Sequence, residues 1–168
     1  MQVKRLTACA VLAATALVLS YIERFIPLEL IIPLPGIKLG LANSVMLFVL
    51  FYLDGKAMLN IFVLRLLGGF LFGSNAAAVF FSLLGGLLSA LIMMTVKDFK
   101  FISIYGISVL GAAAHSLGQI IAAYILMHSE YVFAYLPYLL LISIICGLIT
   151  AFIAGSVLKR LNNKRLQV

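Results

Sequence analysis

The stretch "NIFVLRLLGGFLFG", residues 60–73, sets one arginine, Arg65, in the middle of an apolar run. At about 1.5 Å of rise per residue it falls near the mid-depth of a bilayer, too far in to snorkel comfortably. A central arginine costs about 2.5–3.5 kcal/mol on insertion scales, so it should face the bundle interior and have a partner there. Its guanidinium is a planar fork of donors, suited to carboxylate or phosphate groups. The partner is either an anionic ligand or a set of carbonyls, amides, hydroxyls and waters that tie helices together. The five acids, Glu23, Glu29, Asp54, Asp98 and Glu130, all fall at helix ends or in loops. No acid inside a span is therefore expected to neutralise Arg65, which favours the ligand.

His115 and Gln119, in "GAAAHSLGQIIAA", stand four residues apart and so share one helix face. Each is read either as a ligand contact or as an interhelical hydrogen-bonding group. Asn43, Asn75 and Lys38 are weaker candidates; with Arg65 as floor they outline an outward-facing pocket. The chemistry of such a set is anion binding with orienting hydrogen bonds.

Catalytic chemistry finds less support. The chain has no GxxxxGK[ST] motif and so no phosphate-binding loop of its own. No two acids lie close enough to hold a magnesium diphosphate. His115 and His128 would be about 20 Å apart along one helix, too far to share a haem. Cys9 and Cys146 sit in apolar segments, where a thiol is a small packing residue. No enzyme activity, metal or cofactor is expected.

The elements that must position Arg65 follow from composition. Of 168 residues, 65% are hydrophobic and 10% charged, against about 25% charged in soluble domains. So few polar side chains cannot cover a water-facing surface, and the chain reads as an all-α integral membrane protein forming a single domain over 1–168. The basic start and first apolar run resemble a signal peptide, but no small-residue cleavage site follows. The "LTAC" box at 6–9 lies too early for a lipoprotein signal, so 6–22 is read as a retained helix. Six apolar stretches emerge: 6–22, 39–53, 57–72, 76–96, 101–127 and 131–158. The second and third are short against the roughly 17–25 residues of a span.

Orientation follows from the basic residues. With both termini cytoplasmic, Lys4, Arg5, Lys56, Lys97, Lys100, Lys159, Arg160, Lys164 and Arg165 lie inside, and Arg24 and Lys38 outside. The net charge of +7 is thus a topology signal for a multi-pass protein of the cytoplasmic membrane, and no nucleic-acid partner is expected. Small residues recur at four-residue spacing in Ala10/Ala14, Gly69/Gly73, Ser82/Gly86/Ala90, Gly118/Ala122 and Gly147/Ala151/Gly155. Close helix approach explains most of them, while Ala10 and Ala14 also offer a docking face for another membrane protein. The outer segment 24–38 carries Pro27, Pro33 and Pro35, which forbid a continuous helix, and is read as a cap over the outer mouth.

The runs "PGIKLGLANSVMLFVLFYLDGKA", "LRLLGGFLFG", "SLLGGLLSALIM" and "SVLGAAAHSLGQIIAAYIL" resemble, in order and spacing, the Gx transporter or heptaprenyl diphosphate synthase component I family. The likeness covers about 6–158. It implies a six-helix bundle similar to the substrate-binding S components of energy-coupling-factor transporters. Such a subunit captures its ligand from outside under a capping first loop. It docks through small residues of the first helix on a coupling protein with ATPase subunits. The older family name implies a membrane partner in prenyl diphosphate synthesis, although the aspartate-rich motifs of prenyl synthases are absent. Flavin- and quinone-linked roles are also associated with the family. The expected function is a substrate-binding subunit for a small anionic or amphipathic molecule. The alternative is a non-catalytic partner in quinone- or flavin-linked electron transfer or prenyl diphosphate synthesis.

Overall fold

The computed structural model describes residues 2–25 and 40–165. Among them every regular element is helical: α1 (Gln2–Ile22), α2 (Asn43–Tyr52), α3 (Gly55–Leu71), α4 (Ala76–Val96), α5 (Ile104–Met127) and α6 (Leu136–Arg165). Short 3-10 turns follow α1 (Glu23–Phe25) and precede α6 (Glu130–Tyr135). Among the described residues four segments are long and apolar enough to cross a membrane: Arg5–Ile22, Ala76–Val96, Ile104–Met127 and Glu130–Leu161.

α2 and α3 are the exceptions. α2 has 10 residues, about 15 Å of helix or half a bilayer core, and all of Asn43 to Leu50 is buried. The expected start at residue 39 moves to 43 because Gly40 adopts a positive φ of 81° and its carbonyl accepts from Asn43 N–H at 2.8 Å, making a turn. α3 has 17 residues and begins at Gly55, two residues before the expected start at 57. Lys38 and positions 26–38 of the expected cap lie outside the described residues.

Polar side chains set the helix ends. Asp54 accepts from Ala57 N–H at 2.7 Å at the start of α3, and Asn75 accepts from Ala78 N–H at 2.7 Å at the start of α4. Both satisfy amides that have no partner within the helix. Gly73, at φ 81°, turns the chain between these two helices. Lys97, at the end of α4, donates to the Leu50 carbonyl at 3.0 Å and so serves the last turn of the short α2.

Arg5 pairs with Asp54, joining the start of α1 to the α2–α3 turn. The Ala57 hydrogen bond, with Arg5 adding to it, holds the Asp54 carboxyl below its ordinary value of 3.8. A lowered carboxylate stabilises fully above its unfolded-state value, and this contribution is lost as pH falls through the folded one. Asp54→Asn keeps a cap acceptor but removes the acid. Its thermal midpoint should therefore fall less steeply than wild type on acidification below pH 3.8; superimposable acid limbs would refute this.

The packing order decides what can meet Arg65. α5 lies between α4 and α6, α2 packs on α3 and α6, and α1 packs chiefly on α3. A buried bond of 2.6 Å between Ser108 and Thr150 hydroxyls links α5 to α6.

Candidate functional site: an arginine-walled cavity

Arg65 is 6% exposed and projects from α3 into a cavity of about 470 Å³. α1 contributes Leu17, Val18, Ser20 and Tyr21 to its wall; α3 contributes Arg65, Leu66, Gly69 and Phe72. Ser74 of the turn and Val79 and Ser82 of α4 complete the described lining. The volume falls within the range of small-molecule sites, about 300–1,000 Å³, as does the mixture of apolar walls with a few polar groups.

Glycines shape this space. The Arg65 guanidinium carbon lies 5.6 Å from the centre of the Phe62 ring, within cation–π range. Phe62 in turn presses on Gly86 of α4, where any Cβ would collide with the ring. A Cβ on Gly68 would lie 2.7 Å from Leu17, so the bare backbone of α3 admits that wall residue of α1. At Gly69 a Cβ would meet nothing nearer than Ser74 Oγ at 3.5 Å, which leaves the cavity open.

Glu23 departs from expectation. It follows α1 directly and is 5% exposed, and its Oε1 accepts from Leu41 N–H at 2.5 Å. Its carboxylate interacts electrostatically with Arg65. The expectation that no acid would serve Arg65 is thus corrected, because the 3-10 turn carries a helix-end acid back into the interior. The signal available in the sequence was its position one residue beyond the first apolar run.

The other expected site residues lie elsewhere. His115 and Gln119 are buried on α5, as their spacing requires, but their helix packs on α4 and α6 and not on α3. A Cβ on Gly85 would lie 3.0 Å from the His115 ring, and one on Gly40 would lie 3.0 Å from Asn43 Nδ2 and 3.7 Å from His115 Cδ2. Asn43 and His115 therefore form a polar cluster apart from the cavity, with Gln119 one turn further along α5. Asn75 is exposed as the α4 cap. Ala10 and Ala14 lie on the exposed face of α1, whereas Ala13 and Ala16 are buried. Sequence reasoning took Ser82 as a packing residue and did not single out Ser20, Tyr21 or Ser74; their isolated hydroxyls carry no motif. Cys9 and Cys146 are free, and among the described residues no cluster of His, Cys, Asp and Glu fits a metal.

Comparison with curated proteins and with solved structures returns no match. A model of one family, described as heptaprenyl diphosphate synthase component I, matches residues 12–157. The matched span runs from the middle of α1 into the last third of α6 and includes every residue described around the cavity. The chain belongs to the heptaprenyl diphosphate synthase component I family.

Proposed function

We propose that the chain is a membrane-embedded binding subunit of the S-component type, holding a small anionic or amphipathic molecule in the α1–α3–α4 cavity. The observation that carries this reading is a buried guanidinium lining a partly open, largely apolar space. Arg65 supplies the contact for the negative group; Tyr21, Ser74 and Ser82 offer hydroxyls nearby. Glu23 keeps Arg65 from being an uncompensated charge when the site is empty, and a ligand anion competes with that acid for the guanidinium.

The rest of the reading follows the charge pattern. All six helices cross or line the membrane, both termini are cytoplasmic, and the cavity lies toward the outer face. The chain has no ATPase motif, so a coupling protein and ATPases drive the transport step. The exposed Ala10/Ala14 face of α1 would receive the coupling protein. His115, Gln119 and Asn43 brace α5, α4 and the start of α2 apart from the cavity. A second reading, favoured by the family description, is a non-catalytic partner in prenyl diphosphate synthesis.

The test is to purify the protein in mild detergent and identify co-purifying small molecules by mass spectrometry. Wild type should carry a stoichiometric anionic ligand that Arg65→Ala lacks and Arg65→Lys retains weakly. Identical ligand content in all three would remove Arg65 from the site. Stable co-isolation of a prenyltransferase, without ATP-dependent uptake, would decide for the second reading.

A further inference from the structure

The cavity lies above a face of α3, with α1 on one side and α4 on the other. Among the described residues α1 packs on α2 and α3, and α4 packs on α2, α3 and α5, whereas α1 and α4 do not form a packed helix pair. Where they diverge, two apolar lining residues stand exposed, Val18 at 57% and Phe72 at 71%, with Tyr21 beside Val18 at 52%. Val18 lies about one turn from the end of a helix long and apolar enough to cross a membrane. Among the polar residues described in the cavity lining, Arg65 is the most buried, at 6% exposure.

From this arrangement we propose that the site is reached sideways from the bilayer, between α1 and α4, and that its ligand is a single-chain amphiphile with an anionic head. This rests on the reading of Arg65 as an anion contact and adds to it the route and the tail. The head sits against Arg65, while the chain passes the Val18–Phe72 rim into the outer half of the membrane. Size supports the division. At about 30 Å³ per water-sized unit, the 470 Å³ space holds roughly fifteen such units, enough for a head and the first carbons but not a long chain. A free anion would gain nothing from the Leu17, Val18, Leu66 and Val79 walls.

The experiment uses wild-type protein in lipid nanodiscs and farnesyl phosphate carrying a photoreactive diazirine at its chain end. Irradiation should label α1 and α4 at the rim, around Val18 and Val79. Excess unlabelled farnesyl phosphate should abolish the labelling, inorganic phosphate should not, and Arg65→Gln should reduce it by about tenfold or more, the equivalent of about 1.4 kcal/mol. If inorganic phosphate protects as well as farnesyl phosphate, the site takes a free anion and the amphiphile is wrong, while Arg65 as anion contact stands. If binding is saturable and dependent on Arg65 but the label falls outside α1 and α4, the lateral route is wrong. If no saturable binding depends on Arg65, this proposal and the functional reading beneath it both fail.

Discussion

Glu23→Leu is expected to destabilise the protein by on the order of 3 kcal/mol, because it removes a buried carboxylate that serves an interior amide and acts on a buried guanidinium. Two losses combine. Leu41 N–H loses the acceptor it reaches at 2.5 Å, and an unsatisfied buried amide alone costs about 1–3 kcal/mol. Arg65, buried on α3, also loses the carboxylate that interacts with it. Glu23→Gln separates the two, since its amide oxygen can still accept from Leu41 while the charge is gone; it should fall between wild type and Glu23→Leu. The double variant Glu23→Leu/Arg65→Leu should be more stable than the two single losses added together, by about 0.5–3 kcal/mol of coupling. Unfolding by denaturing detergent reads wild type, Glu23→Leu, Glu23→Gln, Arg65→Leu and the double variant. Strict additivity would mean that the two charges do not act on one another.

Gly118→Ala should cost about 1–3 kcal/mol, the usual range for overpacking, despite alanine's higher helix propensity. A Cβ at 118 would lie 2.5 Å from the Leu84 carbonyl oxygen and 2.7 Å from Gly85 Cα. These are backbone atoms of α4 that cannot rotate away, so the two helices must separate. Separation would also loosen Gly85 from the His115 ring it faces. Gly155→Ala is the matched control: no atom lies within 4 Å of a Cβ there. Alanine should be neutral or stabilising at that position, by up to about 1 kcal/mol. Equal thermal midpoints for the two variants would show that α4 and α5 are not held at backbone contact.

Much of this architecture is written in local patterns. The span expected at 76–96 is α4 as observed, because an uninterrupted apolar run between Asn75 and Lys97 leaves no other solution. Gly118 and Gly147 are legible as small residues at four-residue spacing, and both meet backbone of a neighbouring helix. Arg65 is legible because a charge among apolar residues must be explained. What was not legible depends on contacts distant in sequence. That His115 faces Gly85 and not Arg65 follows from α5 packing between α4 and α6, which an apolar-all-round helix does not announce. Glu23 stands at a helix end in the chain and in the interior in space, and only the path of the turn after α1 relates the two.

The brevity of α2 bears on the order in which the protein can be made. A helix of 10 residues cannot hold itself across a bilayer core of about 30 Å, and non-helical backbone at membrane depth is tolerated only where protein covers it. α2 gains that cover from α3 beside it and from α6, the last of the described helices in chain order; α3 itself brings the costly Arg65. The α2–α3 hairpin is thus a poor substrate for one-at-a-time insertion. Its cover is complete only once α6 packs on α2. A nascent chain stalled before α6 therefore presents an unfinished first half, and quality control can recognise it by the backbone that α6 has not yet covered.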